Sequence, residues 1–170
     1  VPLSGDIIVV SDLPYVIAGG YGQRTTVTPS ASTWTTTEAG SLRLDGLTLK
    51  AARMYEIRTN PLVLVPSVIG DVINVRIRVN NAGVATTAST EIGHIRAYGA
   101  NVSQTDARTL TVPYFPPADT TTASVLLTLE RAAAGGSSLG VRMWGNGGNE
   151  SQQLWVVDMG PAPTNAGVVI

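Results

Sequence analysis

The sequence predicts an all-β chain folded as an antiparallel sandwich. Three observations lead there. Apolar and polar residues alternate with a period of two through the middle and end of the chain. Clusters of Gly, Pro, Asn and Asp cut that alternation into short lengths. No stretch of about ten residues or more carries a convincing 3.6-residue period, so crossover helices are not expected.

The first thirty residues differ from the rest. Gly5 to Leu13 is a short apolar run with Asp6 and Asp12 near its ends. Ala18-Gly19-Gly20-Tyr21-Gly22 reads as a flexible break, and Thr25 to Thr37 is rich in Thr and Ser. The expected division is an extended amino-terminal arm over residues 1–30 and a sandwich domain over 31–170. The competing reading makes Ile7–Val10 and Tyr15–Ile17 ordinary strands of the same sandwich.

The clearest strand is Val72–Val79: Ile73, Val75, Ile77 and Val79 point one way, and Asn74, Arg76 and Arg78 the other. That pattern predicts one buried face and one wet face. Leu42–Asp45 and Leu47–Lys50 alternate likewise, with a break expected at Gly46. Further strands are expected at Met54–Thr59, Leu62–Val65, His94–Tyr98, Leu110–Phe115, Val125–Arg131, Leu139–Trp144 and Leu154–Asp158. Turn signals separate them at Asn60-Pro61, Gly70-Asp71, Asn80–Gly83, Pro116–Asp119, Gly135-Gly136 and Gly145–Gly148. Ala51–Arg53 and Arg131–Ala134 are each long enough for one turn of helix. About eight core strands with long connections favour a jelly roll over an immunoglobulin sandwich, whose Cys…Trp…Cys pattern is missing.

Composition narrows the chemistry. Hydrophobic residues make up 44 % of the 170 residues and charged residues 14 %, against roughly 25 % charged in an ordinary domain. Thr, Ser, Asn and Gly must therefore form much of the surface, which suits packing into an assembly. The net charge is −1 and the arginines are dispersed, so the phosphate-neutralising stripe of a nucleic-acid binder is missing. Without cysteine there is no disulfide, zinc finger or thiol chemistry. No window approaches the roughly 18 apolar residues of a membrane helix. The opening Val1–Asp6 has neither a basic flank nor a long apolar run, so synthesis in the cytoplasm without a signal peptide is expected.

Motifs that carry chemistry elsewhere lack their context. Gly136-Ser137-Ser138-Leu139-Gly140 matches G-x-S-x-G, but a strand-like segment follows it and the sole histidine, His94, precedes it. His94 has no second histidine or cysteine with which to hold a metal. Asp45, Asp71, Asp106, Asp119 and Asp158 each adjoin a turn or strand end, where Asp bonds backbone N–H groups. Gly19–Gly22 has no following helix to cradle a phosphate. Asn146, Asn149 and Glu150 lack calcium-loop spacing. No catalytic residue, metal site or cofactor is expected. Trp34, Trp144 and Trp155 suit a core or an interface, and Trp144 with Asn146 and Asn149 also makes a candidate sugar platform on a loop.

Four segments have counterparts in a known group: Ala51–Ile57 followed by Gly70–Arg78, then Val125–Arg131, and Leu154–Pro163 with its Val157-Asp158-Met159-Gly160-Pro161 ending. With the opening Gly5–Asp12, they resemble the β-rich virion proteins of tailed phages of actinobacteria. Ala52 stands where that pattern has glycine. The resemblance implies a non-enzymatic virion structural protein that decorates the capsid, or forms part of a tail or head fibre, as a homotrimer on the virion surface. Its partners would be further copies of itself and the major capsid or tail proteins. Asp6, Ile7, Ile8, Asp12, Leu13 and Tyr15 are the candidate particle-docking residues. The alternative is a host-receptor or carbohydrate-binding module of a fibre that uses the Trp144 loop on a host surface glycan.

Overall fold

The computed structural model describes residues 16–24, 36–59, 62–65, 70, 72–98, 106–133, 142–144 and 152–163. Among them lie eleven strands and no helix. They are β1 (Val16–Arg24), β2 (Ala39–Leu49), β3 (Arg53–Thr59), β4 (Leu62–Val65), β5 (Val72–Asn80), β6 (Thr90–Tyr98), β7 (Asp106–Arg108), β8 (Thr111–Tyr114), β9 (Thr120–Ala133), β10 (Arg142–Trp144) and β11 (Gln152–Pro161). All their pairings are antiparallel.

Two four-stranded sheets have the orders β1-β11-β3-β8 and β2-β9-β5-β6. Setting aside the three short strands and counting the other eight along the chain turns these orders into 1-8-3-6 and 2-7-4-5. That is the jelly roll: strand pairs 1–8, 2–7, 3–6 and 4–5 form one long antiparallel ribbon, rolled up until its edges meet. The three short strands lie in the connections β3 to β5, β6 to β8 and β9 to β11, and join as a small sheet β10-β4-β7. The connections β2 to β3, β5 to β6 and β8 to β9 gather at the opposite end and are short, the longest being residues 81–89.

The core lies between the large sheets. Leu42, Leu44, Leu47 and Leu49 of β2, the alternate apolar residues Ile73–Val79 of β5, and Ala123, Val125, Leu127 and Leu129 of β9 face Tyr55 and Ile57 of β3 and Leu154 and Val156 of β11. Burying each large aliphatic side chain contributes about 1.5–3 kcal/mol.

Several local expectations change. The expected break at Gly46 is a bulge within the unbroken strand β2: the register shifts between Leu44 and Leu47, and Gly46 supplies a φ of 69°. Ala51–Arg53 makes no helical turn; Ala52 takes a φ of 58° and reverses the chain between β2 and β3. Arg131–Ala133 continue β9, because Ile73 and Val72 remain available as partners. The Gly-rich segment Ala18–Gly22, expected to be a flexible break, belongs to β1 and pairs with β11 from Gly20↔Val156 to Arg24↔Gln152. Residues 16–24 of the span assigned to an arm thus sit in a sheet. Residues 1–15 lie outside the described residues. The three-residue β7 has no alternation long enough to read from the sequence.

The wet face expected on β5 is covered. Asn74 is only 4 % exposed, and Arg76 and Arg78 are about one-sixth exposed. β6 and β9 flank β5, and their side chains, with those of the segment before β2, cross over it.

Gly93 on β6 marks a close approach between the two large sheets. A Cβ there would stand 2.5 Å from Val112 Cγ2 on β8, closer than packed carbon atoms tolerate. Gly93→Ala is expected to destabilise the fold by about 1–3 kcal/mol through overpacking, measured by urea unfolding. Adding Val112→Ala should return part of that loss.

Candidate functional site

The residues singled out from the sequence are not brought together. Asp6, Ile7, Ile8, Asp12, Leu13 and Tyr15 lie outside the described residues, as do Asn146, Asn149 and the Gly136–Gly140 motif. Trp144 is the last residue of β10 and is paired with Val63 in the small sheet. His94 sits on β6 opposite Arg76, and its Nδ1 lies 2.8 Å from Glu91.

The densest polar arrangement among the described residues covers the outer face of the β2-β9-β5-β6 sheet. Alternation sends Arg76 and Arg78 of β5, Thr128 and Glu130 of β9, and Glu91 of β6 to that face. Glu38, just ahead of β2, reaches over them. Its carboxylate accepts from Arg78 through Nε and Nη2, the latter at 2.6 Å, and from the Thr128 hydroxyl. Arg76 donates to Glu130 and Glu91, and stands 3.6 Å from Glu38. Asn74 bridges outward, donating to Glu130 at 3.2 Å and accepting from Arg96 at 3.0 Å. Three carboxylates thus meet two guanidiniums, those of Arg76 and Arg78, while Arg96 joins the network through Asn74, so most of the charge on this face is paired within the subunit.

Glu38 is the member that sequence reasoning missed. Its partners lie 40 and 90 positions away along the chain, and no local pattern marks it within a Thr-rich stretch. The in-phase arginines of β5 were the available signal, because half-buried cations on a central strand require acids above them. Burial pushes the Glu38 carboxyl up, but hydrogen bonds from Arg78 and Thr128 and the charges of Arg78 and Arg76 outweigh it. The net result is a carboxyl held below its ordinary value.

A second arrangement knits the turns together. Asp119 accepts from the Ala51 amide at 2.9 Å and from Lys50 Nζ at 2.8 Å. The Lys50 amide donates to the Tyr55 hydroxyl, and the Tyr114 hydroxyl donates to Asn81 Oδ1. Thr120 Oγ1 donates to the Asn81 carbonyl at 2.6 Å. Asp119 was expected to bond backbone near its own turn; it bonds backbone of another turn, which only the fold brings near.

The outer face of the other large sheet is quieter. The Arg58 guanidinium lies 5.4 Å from the centre of the Trp155 ring, and Arg53 pairs with Asp158 at 2.6 Å. Among the described residues, no group of three or more His, Asp or Glu is placed to hold a metal ion, and no helix is long and apolar enough to cross a membrane.

No protein-family model matches the sequence. No curated protein matches it either. Among solved structures, the chain is similar to VP2 of infectious bursal disease virus in a subviral particle, with 13 % identity, a TM-score of 0.41, and coverage of 87 % of this chain and 37 % of that one. It is similar to the T=1 particles derived from the same virus, with 15 % identity, a TM-score of 0.42, and coverage of 87 % and 36 %. A chain described under CBM4 structure and function overlays at 8 % identity and a TM-score of 0.29, covering 84 % of this chain and 75 % of that one. The chain thus spans little more than a third of the VP2 chains. Overlays this loose leave function to be argued from the residues themselves.

Because Glu38 titrates lower when folded than when unfolded, it adds stability above its ordinary value of 4.5 that drains away as the pH falls through the folded value. Glu38→Gln should cost about 1.5–3 kcal/mol at neutral pH, the range for a charged hydrogen-bonding group. It should also flatten the acid limb of a stability-versus-pH curve measured by chemical denaturation.

Proposed function

We propose that this chain is a non-enzymatic structural component of a bacteriophage particle, a jelly roll that decorates or stabilises the capsid or forms part of the tail. In this reading it assembles as a homotrimer, sits on the virion surface after synthesis in the host cytoplasm, and meets the major capsid or tail proteins through its amino-terminal residues.

The observation that carries the reading is the internally paired outer face of the β2-β9-β5-β6 sheet. Burying an unpaired charge against a neighbour costs several kcal/mol. A face whose guanidiniums and carboxylates are already mostly paired with one another can be covered with less desolvation loss; the exception is Arg76 Nη1, buried 3.6 Å from Glu38 without a hydrogen bond. Repeated contacts of about 1,600 Å² then hold many copies without exceptional affinity at any one of them. The strand order supports the same reading, since jelly rolls build capsid proteins as well as lectins and cupins, and the resemblance to phage virion proteins favours the first of these uses. The Glu91, Glu130 and Glu38 carboxylates are engaged by Arg76 and Arg78, an arrangement that serves cohesion better than proton transfer.

The docking segment is tested by truncation that stops short of β1. Removing residues 1–15 should leave a folded protein, with unchanged circular dichroism, that no longer binds purified particles; retained binding would reject docking through Asp6–Tyr15. Light scattering on the full chain should return three times the monomer mass, and a monomer would reject the trimer.

A further inference from the structure

The end of the sandwich built from short connections holds two shallow grooves with the Asn81-Ala82 turn between them. The first, of about 540 Å³, is lined by Lys50, Asn81, Ala82, Asp119, Thr120 and Thr122, among others. The second, of about 470 Å³, shares Asn81 and Ala82 and adds Asn80, Thr86, Ser89 and Thr90.

The lining chemistry selects the ligand. The first groove carries one cation and one anion, Lys50 and Asp119, bonded to each other at 2.8 Å. An anion such as phosphate would meet the Asp119 carboxylate, and a metal ion would find one carboxylate already shared with an ammonium. The second groove is lined only by hydroxyls, amides, methyls and backbone. Neither has the large aliphatic or aromatic walls that an apolar ligand needs. What fits is a neutral molecule presenting many hydroxyls, with CH faces to lie on the Ala and Thr methyls. That is a saccharide, and two grooves sharing one ridge suit an extended chain of sugars.

The polar groups are also held in place before any ligand arrives. Asp119 Oδ1 is fixed by the Ala51 amide, Asn81 Oδ1 by the Tyr114 hydroxyl, and Asn80 by the Ala82 amide and the Val84 carbonyl. The Thr86 amide is bonded to Ser89 Oγ. Such pre-organisation lowers the ordering cost of binding. We infer that this turn end is a weak saccharide-binding surface, in which Asp119, the Asn81 side-chain amide and the Thr121 and Thr122 hydroxyls engage one part of a neutral glycan and Thr86 and Ser89 the next, Thr120 being held by the Asn81 carbonyl and the Thr122 amide. It lies at the opposite end of the sandwich from Trp144, and it does not depend on the particle role. With no stacking aromatic in the lining, single-site affinity should be millimolar; repetition of the site in an assembly would raise it by avidity.

The test is a titration of the ¹⁵N-labelled full chain, followed by NMR, with maltotriose, cellotriose and chitotriose, and with inorganic phosphate as the anionic control. At least one sugar should shift the amides of Asn81–Gly83 and Asp119–Thr122 saturably at millimolar concentration, and phosphate should not. Asp119→Asn and Thr122→Arg, both at exposed positions whose folding the same spectra verify, should each weaken binding by about tenfold or more. Trp144→Ala should leave it unchanged. The inference is overturned if none of the three sugars moves these amides, if phosphate alone does, if both groove variants bind like the parent, or if Trp144→Ala is the change that abolishes binding.

Discussion

β9 is buried on both faces, and the rest of the sandwich is arranged around satisfying it. Ala123, Val125, Leu127 and Leu129 enter the core, while Ser124, Leu126 and Thr128 on the reverse side are also nearly inaccessible. A buried hydroxyl without a partner costs about 1–3 kcal/mol, so each polar group on the reverse side recruits one. Ser124 donates to Asp45, and Thr128 donates to Glu38. Glu38 in turn brings Arg78, whose neighbour Arg76 brings Glu91 and Glu130. The charge network is the consequence of covering a central strand on its outer side with polar residues.

Rolling the ribbon also separates two kinds of surface. One end collects short turns whose side chains bond across from one turn to another, as Asp119 does to Ala51 and Tyr114 to Asn81. The other end extends its connections into the small β10-β4-β7 sheet. Arg131, opposite Ile73 near the end of β9, is buried at 4 % exposure on the side of the strand that carries Val125, Leu127 and Leu129.

Much of the fold can be read directly along the chain. β4 matches its expected limits, and β3 and β5 match theirs to within a residue, because a short apolar run or a period-two alternation bounded by Asn-Pro or Gly-Asp is a local signal. β1 is legible only at its start, where one reading made Tyr15–Ile17 a strand, and β7 not at all: glycine-rich or three-residue segments have no alternation, and they become strands because β11 and β4 offer unpaired edges. The bulge at Gly46 looks like a strand end from within the sequence, since a register shift and a break interrupt alternation in the same way. The candidate sites are far less legible. Lys50 meets Asp119 and Glu38 meets Thr128 across 69 and 90 positions, separations over which no periodicity carries information.

Alternation, turn residues and a sparse charge content were sufficient to determine an all-β sandwich with its apolar stripes facing inward, because burial of every second side chain is a property of each strand alone. Which strands lie side by side, which polar residues end up buried and which turns share a surface were decided only when the ribbon rolled up. Those outcomes depend on hydrogen bonds and ion pairs between segments remote in the chain, and their energies exist only once the sheets have closed.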